Sequence, residues 1–406
     1  MAPEPKTILL CGGGNAVHVM AALFGSQGHK VRILSTWSDE AARLRAASEE
    51  KGITVKCDNG QELVGWPEVI GKDPAVVVPG CDIVILALPA FAHEGYLNVI
   101  EPYVNKTLTV GAFPGQGGFD TCVRSCLGDK GDDCVVFAGE TLPWACRTVE
   151  FGKKVEILGT KKEIDVAVSP ASKSRPTLEL LQTLLGKEPK LVSVGSFLSI
   201  TLMNINMIWH PTISYGRYRL WDNETPFEKP PPFYEGVDAF TADLLSQMSD
   251  EMLRVKEVIN ASYPDVDLAG VMHVTDWINR AYGEDVKDNT NLMTAINTNK
   301  GYRGLVHPCV PTNDGKFLPD FKYRYFSEDV PFGLVVAKGI AELCDLPTPG
   351  IDTVIAWCQD KLNRTFIRPT NDHYTLRGSP DLDKSRAPQR YGFTDLHTYM
   401  VAHKYA

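Results

Sequence analysis

"TILLCGGGNAVHVMAAL", Thr7 to Leu23, decides the fold. An apolar run, Thr7 to Cys11, enters a turn of three glycines and leaves as a segment whose apolar residues recur at helical spacing. A strand that turns through glycines into a helix is the setting of a dinucleotide phosphate site, here Gly12, Gly13, Gly14, Asn15 and Ala16. Gly12 permits the tight turn, and Gly14 lets backbone N–H groups approach a pyrophosphate at the positive helix end. A plain strand-to-helix turn would need only one glycine. Val17 stands where the usual pattern has glycine or alanine, so it is expected to hold helix and strand slightly apart and to tolerate alanine.

Working outward, "KVRILS", "CDIVILALP", "TLTVGAFPG" and "CVVFAGE" read as further strands, nearly continuous in apolar residues as in a parallel sheet buried on both faces. Residues 15–25, 38–50 and 93–103 carry helical spacing between them, "KKVEILGT" and "KEIDVAVSP" add strands, and the helix "PTLELLQTLLG" ends at a glycine. Near Ser193 the pattern changes. "SFLSITLMNINMIWHP" is apolar on nearly every face and reads as a buried helix ending near His210, because Pro211 disfavours α geometry in its predecessor. Val237, Phe240, Leu244, Met248, Met252, Val255 and Ile259 then mark an amphipathic helix, and "GLVVAKGIAELCDLP" and "IDTVIAWCQDKLN" repeat the signal. The expected architecture is α/β: residues 1–195 as a Rossmann-type, doubly wound parallel sheet that binds NAD, and residues 196–406 as an all-α catalytic domain. The active site is expected in the cleft between them.

Composition narrows the class. The 406 residues are too many for one ordinary core, and 44% hydrophobic with 22% charged residues is globular. A net charge of −9 argues against nucleic acid or an anionic membrane as partner. No apolar run reaches the roughly 18 residues of a membrane span, and "MAPEPKT" lacks a signal-peptide layout, so a cytoplasmic setting is expected. The ten cysteines lie mostly within apolar runs, without metal-ligand spacing, and read as buried thiols with no metal expected.

Chemistry is expected at the loops after the strands. Ser35 and Thr36 follow the second strand, where an acid or an arginine would meet the adenosine ribose; with neither at the strand end, NAD is favoured over NADP. Asp39 and Glu40 read as the start of the next helix. Leu88 and Pro89 in "ALPAFAH" and Gln116 in "FPGQGG" fall at the same sheet edge, where proline and small neighbours let backbone approach a flat ring and Gln116 could orient a carboxylate or amide; plain loops are the alternative. In "GETLPWACR", Glu140 and Thr141 suit an amine and a carboxylate, or equally an internal capping role. His210 is the general acid/base candidate, since imidazoles titrate near neutrality; a structural histidine satisfied by a backbone carbonyl is its alternative. Asp329, in "KYRYFSEDVPFGLVVAKG", would orient it, or would cap the helix that Pro331 begins. Arg324 suits an anionic substrate or the pyrophosphate; a surface ion pair is its alternative.

Taken together, "GGGN", "LPAFAH", "FPGQGG", "ETLPWACR", the His-Pro at 210, "NTNKGYRGLVHP", "YRYFSEDVPFG" and "APQRYGF" resemble the opine dehydrogenases of marine invertebrates, which include octopine, tauropine, alanopine and strombine dehydrogenases. The likeness spans nearly the whole chain. It implies an NADH-dependent reductive condensation of pyruvate with an amino acid, giving an N-(1-carboxyethyl) amino acid and regenerating NAD⁺ in anaerobic glycolysis, by a monomer. It also implies His210 as proton donor, Asp329 as its assistant, Arg324 at the cofactor phosphates, and Gln116 and Thr141 near pyruvate. Glu140, Cys146 and Trp277 are implied at or near the amino-acid pocket. A 2-hydroxy or 3-hydroxy acid dehydrogenase of the same two-domain plan is the alternative enzyme, and a non-catalytic NAD sensor the alternative outside enzymes.

Overall fold

The computed structural model describes residues 4–105, 107–371 and 373–405. The chain forms two compact units: one runs to Ile200 and takes in His403–Tyr405, and the other is Thr201–Ala402.

The first unit opens with β1 (Thr7–Cys11), α1 (Asn15–Ser26), β2 (Lys30–Leu34), α2 (Glu40–Ser48), β3 (Ile53–Lys56), β4 (Glu62–Gly65) and β5 (Val69–Gly71). It continues through α3 (Pro74–Val77), β6 (Ile83–Leu86), α4 (Ala90–Ile100), β7 (Thr109–Ala112), α5 (Phe119–Leu127), α6 (Asp129–Asp133) and β8 (Val135–Gly139). The last elements are β9 (Trp144–Glu150), β10 (Lys154–Thr160), β11 (Glu163–Ser169), α7 (Ser174–Leu185) and β12 (Lys190–Ser193). Eight strands form one sheet in the order β12-β11-β8-β7-β6-β1-β2-β5, parallel from β8 to β5, with β11 antiparallel to β8. Period-two alternation distributes β1 over both faces: Ile8 and Leu10 enter one core cluster, Leu9 and Cys11 the other.

A second sheet, β4-β3-β10-β9, covers α1. Its half-exposed strands lack the apolar continuity of the large sheet. The approach is close where glycine faces glycine, since a Cβ on Gly25 would lie 2.8 Å from Gly65 Cα. Val17 is fully buried in the cluster that also contains Ile8, Leu10, Ile33 and Val55. It is a core residue, and the expectation that alanine is tolerated there does not survive this packing.

α8 (Phe197–Leu202) leads into the second unit, which contains α9 (Ile205–Tyr218), α10 (Ala239–Ser262), α11 (Val274–Tyr282) and α12 (Leu292–Asn297). After the hairpin of β13 (Cys309–Pro311) and β14 (Phe317–Pro319) come α13 (Arg324–Ser327), a π-helical turn Val330–Leu334, α14 (Val335–Leu343) and α15 (Pro349–Leu362). A short hairpin, β15 (Arg368–Pro369) with β16 (Tyr374–Thr375), precedes α16 (Leu396–Ala402).

The buried helix expected to end near His210 divides elsewhere. The break falls at Asn204, whose side chain caps α9 by accepting from the Asn206 N–H at 3.2 Å. Pro211 lies inside α9, so His210 is mid-helix. Proline removes one N–H and disfavours α geometry before it, but Met207 through Ser214 are all buried, and that packing outweighs the local preference.

Candidate active site

Each candidate of the first unit up to Thr141 lies beyond the C-terminal end of a strand. Gly12 to Ala16 follow β1, Ser35 and Thr36 follow β2, Leu88 and Pro89 follow β6, Gln116 follows β7, and Glu140 and Thr141 follow β8. The chain runs outward from β1 to β2 and returns to β6 on the other side, so β1 and β6 flank the switch point where such sheets bind ligands. Gly12 has φ +108, and a Cβ there would lie 2.5 Å from Leu88 Cδ2. Only glycine satisfies both the conformation and the approach. Gly14 and Asn15 are exposed, and a Cβ on Gly14 would meet nothing within 4 Å. An open glycine cradle at the N-terminus of a twelve-residue helix fits a dinucleotide pyrophosphate.

Side chains around the cradle hold it in place. His18, fully buried on α1, accepts from Gly152 N–H through Nε2 at 2.9 Å, which leaves the proton on Nδ1 to be donated to Gly14 O at 2.9 Å. Burial lowers its pKa, as suits this neutral tautomer. Asn15 Oδ1 accepts from Thr148 N–H on β9 at 3.0 Å, so its side chain ties helix to small sheet and leaves its backbone to the cradle. Thr36 N–H donates to the Tyr96 hydroxyl at 3.1 Å. Pro89 precedes α4, and Leu88 O meets His93 Nε2 at 3.0 Å.

Gln116 is 2% exposed and left-handed at φ 61, a conformation rarely adopted by a residue with a side chain. Glu140 N–H donates to Asp165 O at 2.9 Å, and its Oε1 accepts from Asp165 N–H at 3.4 Å, so part of the carboxylate serves the fold. Cys146, on β9, packs against the core cluster around α1, and burial pushes its thiol up to about 11. It therefore remains protonated at neutral pH and contributes bulk, without thiolate character.

In the second unit, His210 and Asp329 are together: Nδ1 lies 2.7 Å from Asp329 Oδ2, with both residues buried. The π turn makes this possible. Leu334 N–H reaches back to Asp329 O at 3.0 Å, and a Cβ on Gly333 would lie 2.5 Å from Met207 Cβ, so this turn sits against α9 one turn before His210. Asp329 makes no side-chain cap to the turn that follows, which resolves the two readings of this residue in favour of His210. With Nδ1 donating to the carboxylate, Nε2 is the nitrogen left to exchange a proton. The Tyr234 hydroxyl lies 3.5 Å from it.

Aromatic rings enclose the imidazole. Tyr325 stacks on it at 3.6 Å and 17°, and Phe233 meets it edge-on at 5.8 Å. Trp277, half-buried on α11, reaches this group through Trp209, next to His210, at 6.2 Å. Arg324 begins α13 and pairs with buried Glu328 at 3.1 Å, while 53% of its side chain stays exposed. The ion-pair alternative is thus realised on one side of the guanidinium.

Comparison with known proteins places the chain in a family. Opine dehydrogenase of Haliotis discus hannai is 42% identical over 401 residues, covering 96% of this chain and 97% of that protein. The chain belongs to the opine dehydrogenase family. Tauropine dehydrogenase of Arabella iricolor is 39% identical, covering 97% of this chain and 99% of that enzyme. Residues 193–362 match the family described as NAD/NADP octopine/nopaline dehydrogenase, alpha-helical domain. Octopine dehydrogenase solved with NADH and L-arginine superposes with a TM-score of 0.90 at 38% identity over 97% of each chain. Its complex with NADH and pyruvate gives 0.87 at 37%, covering 97% of this chain and 98% of that one. The expected parallel-sheet first domain and helical second domain hold for this family member.

Tyr325 and Tyr234, like Phe233, are neighbours of His210 that were not among the sequence candidates. Tyr325 adjoins Arg324 in "KYRYF", and Tyr234 follows the proline run at 230–232, but no spacing rule marks either as facing an imidazole. Both contacts arise from tertiary packing.

Proposed function

We propose that this chain is an NADH-dependent opine dehydrogenase that condenses pyruvate with an amino acid. The buried His210–Asp329 pair carries this reading, because a single oriented proton-transfer group is what the reaction requires. The amine and the keto group of pyruvate lose water to give an imine. Hydride from NADH reduces its carbon while a proton completes the amine, yielding the N-(1-carboxyethyl) amino acid and NAD⁺. His210 Nε2 supplies a proton to the keto oxygen as it departs and accepts one in the reverse direction. Asp329 stabilises the imidazolium and fixes which nitrogen reacts.

The glycine cradle would hold the cofactor pyrophosphate, and the exposed side of Arg324 would add a cation to it. Gln116 and Thr141 are assigned to the pyruvate carboxylate, with Glu140, Cys146 and Trp277 about the amino acid. Residues 1–195 are the proposed NAD-binding domain and residues 196–406 the proposed helical substrate and catalytic domain, which also supplies Arg324.

NADH oxidation measured with pyruvate and a panel of arginine, alanine, glycine, β-alanine and taurine tests the proposal. Turnover should require both pyruvate and one of these amines. NADH consumption with pyruvate alone would instead identify a hydroxy acid dehydrogenase, and NADH binding without turnover on any panel member would favour a sensor.

A further inference from the structure

The turn contains one glycine more than the pyrophosphate requires. Gly12 is fixed by its positive φ and by Leu88, and Gly14 by its place at the open helix end; Gly13 has neither reason. What Gly13 faces is Glu40: a Cβ on it would lie 2.5 Å from Glu40 Oε2 and 2.8 Å from Glu40 Cγ. The carboxylate is held there by Ser35, fully buried at the end of β2, whose hydroxyl donates to Oε2 at 2.5 Å. Glu40 begins α2, as its sequence context suggests, but its side chain returns over the glycine turn, to the place left without an acid by the neutral end of β2.

We infer that Glu40 reads the adenosine ribose of the cofactor, that Gly13 is glycine so that this carboxylate can be seated, and that Ser35 is its positioning residue. A carboxylate at a dinucleotide turn accepts hydrogen bonds from ribose hydroxyls and repels a 2′-phosphate, so it selects NADH over NADPH by attraction and by charge. Ser35 acts through Glu40, since its single proton is committed to the carboxylate. The inference rests on the cofactor reading above.

Dissociation constants of NADH and NADPH for the full chain, measured by titration calorimetry on wild type, Glu40→Gln, Ser35→Ala and Gly13→Ala, test it. Wild type should prefer NADH. Glu40→Gln should weaken NADH about tenfold and narrow its margin over NADPH by more than that, because a charge-assisted hydrogen bond and a repulsion are lost together. Gly13→Ala should move the margin in the same direction by displacing the carboxylate, and Ser35→Ala should do so less. Equal loss for both cofactors in Glu40→Gln, or no change, overturns the proposal and leaves Glu40 as a prop for the turn. If Glu40→Gln does not fold, Glu40→Ala takes its place: a narrowed margin supports the proposal, and an equal loss or none overturns it. Wild type that binds neither cofactor would refute the cofactor reading itself, a separate outcome.

Discussion

His210 Nδ1 and Asp329 Oδ2 lie 2.7 Å apart across 119 residues of sequence, on two segments held together by the approach of Gly333 to Met207. A buried carboxylate on Nδ1 selects the tautomer that leaves Nε2 reactive. Asp329→Asn keeps the shape but removes the charge that stabilises imidazolium, so kcat should fall about 10²-fold or more. His210→Ala should fall at least as far. The double variant should be little worse than His210→Ala, because the two residues act as one unit. Steady-state kinetics of the three variants check this, and a near-normal rate in Asp329→Asn would remove the aspartate from proton transfer.

Tyr325 lies flat on the same imidazole at 3.6 Å and 17°. Its ring limits rotation of His210 about the axis that Asp329 leaves free, so it is a positioning residue. Tyr325→Phe preserves the stack and should leave kcat within about twofold, whereas Tyr325→Leu should lower kcat about tenfold, on the scale of an aromatic pair. NADH affinity should be unchanged in both. If the phenylalanine and leucine variants lose rate equally, the hydroxyl matters and the stack does not.

What was legible in the sequence follows from the range of the forces involved. β1, the glycine turn and α1 were readable because periodicity and turn chemistry are local and agree with burial. β3 and β4 were not read as strands: they are four residues each and half-exposed, and β3 pairs in parallel with β10 about a hundred residues on. Pro211 reads in the sequence as the end of the buried helix, and burial on every side of α9 outweighs that local preference. The pairing of His210 with Asp329 was one of two readings of that aspartate and was also implied by the family resemblance, since no spacing rule spans it. Glu40 was placed on its helix correctly, yet the direction of its side chain is a property of the folded turn.

Val17 is where the packing changes the expectation most directly. It is fully buried among Ile8, Leu10 and Ile33, so Val17→Ala removes two methyl groups from a filled site. A loss on the order of 2 kcal/mol is expected from large-to-small core substitutions of this size. Chemical denaturation should show a lower midpoint with an unchanged slope. NADH affinity should stay close to wild type in the folded fraction, because the cradle is backbone. A midpoint identical to wild type would mean the site relaxes around the lost methyls.

Acid should destabilise the helical unit through His307. This residue is 2% exposed, edge-on to Tyr218 at 4.8 Å and to Phe233 at 4.6 Å. Burial, aided by the Arg217 charge, lowers its pKa from the ordinary 6.5 to about 3. The unfolded chain therefore binds the proton that the folded chain refuses. Stability is fully present above pH 6.5 and is lost as pH falls from there toward 3, by up to about 1.4 kcal/mol per pH unit for one proton. His18, lowered by burial in the first unit, acts in the same sense. Glu251 and Glu342, raised by burial, act in the opposite one: their protonation favours the folded state at low pH. The difference between wild type and His307→Gln isolates the histidine. Denaturation at pH 7.5, 6.5 and 5.5 should show the variant less stable at the highest pH, through lost ring packing, but losing less stability over the lower interval than wild type. Parallel curves would show that His307 takes up its proton in the folded state as readily as in the unfolded chain.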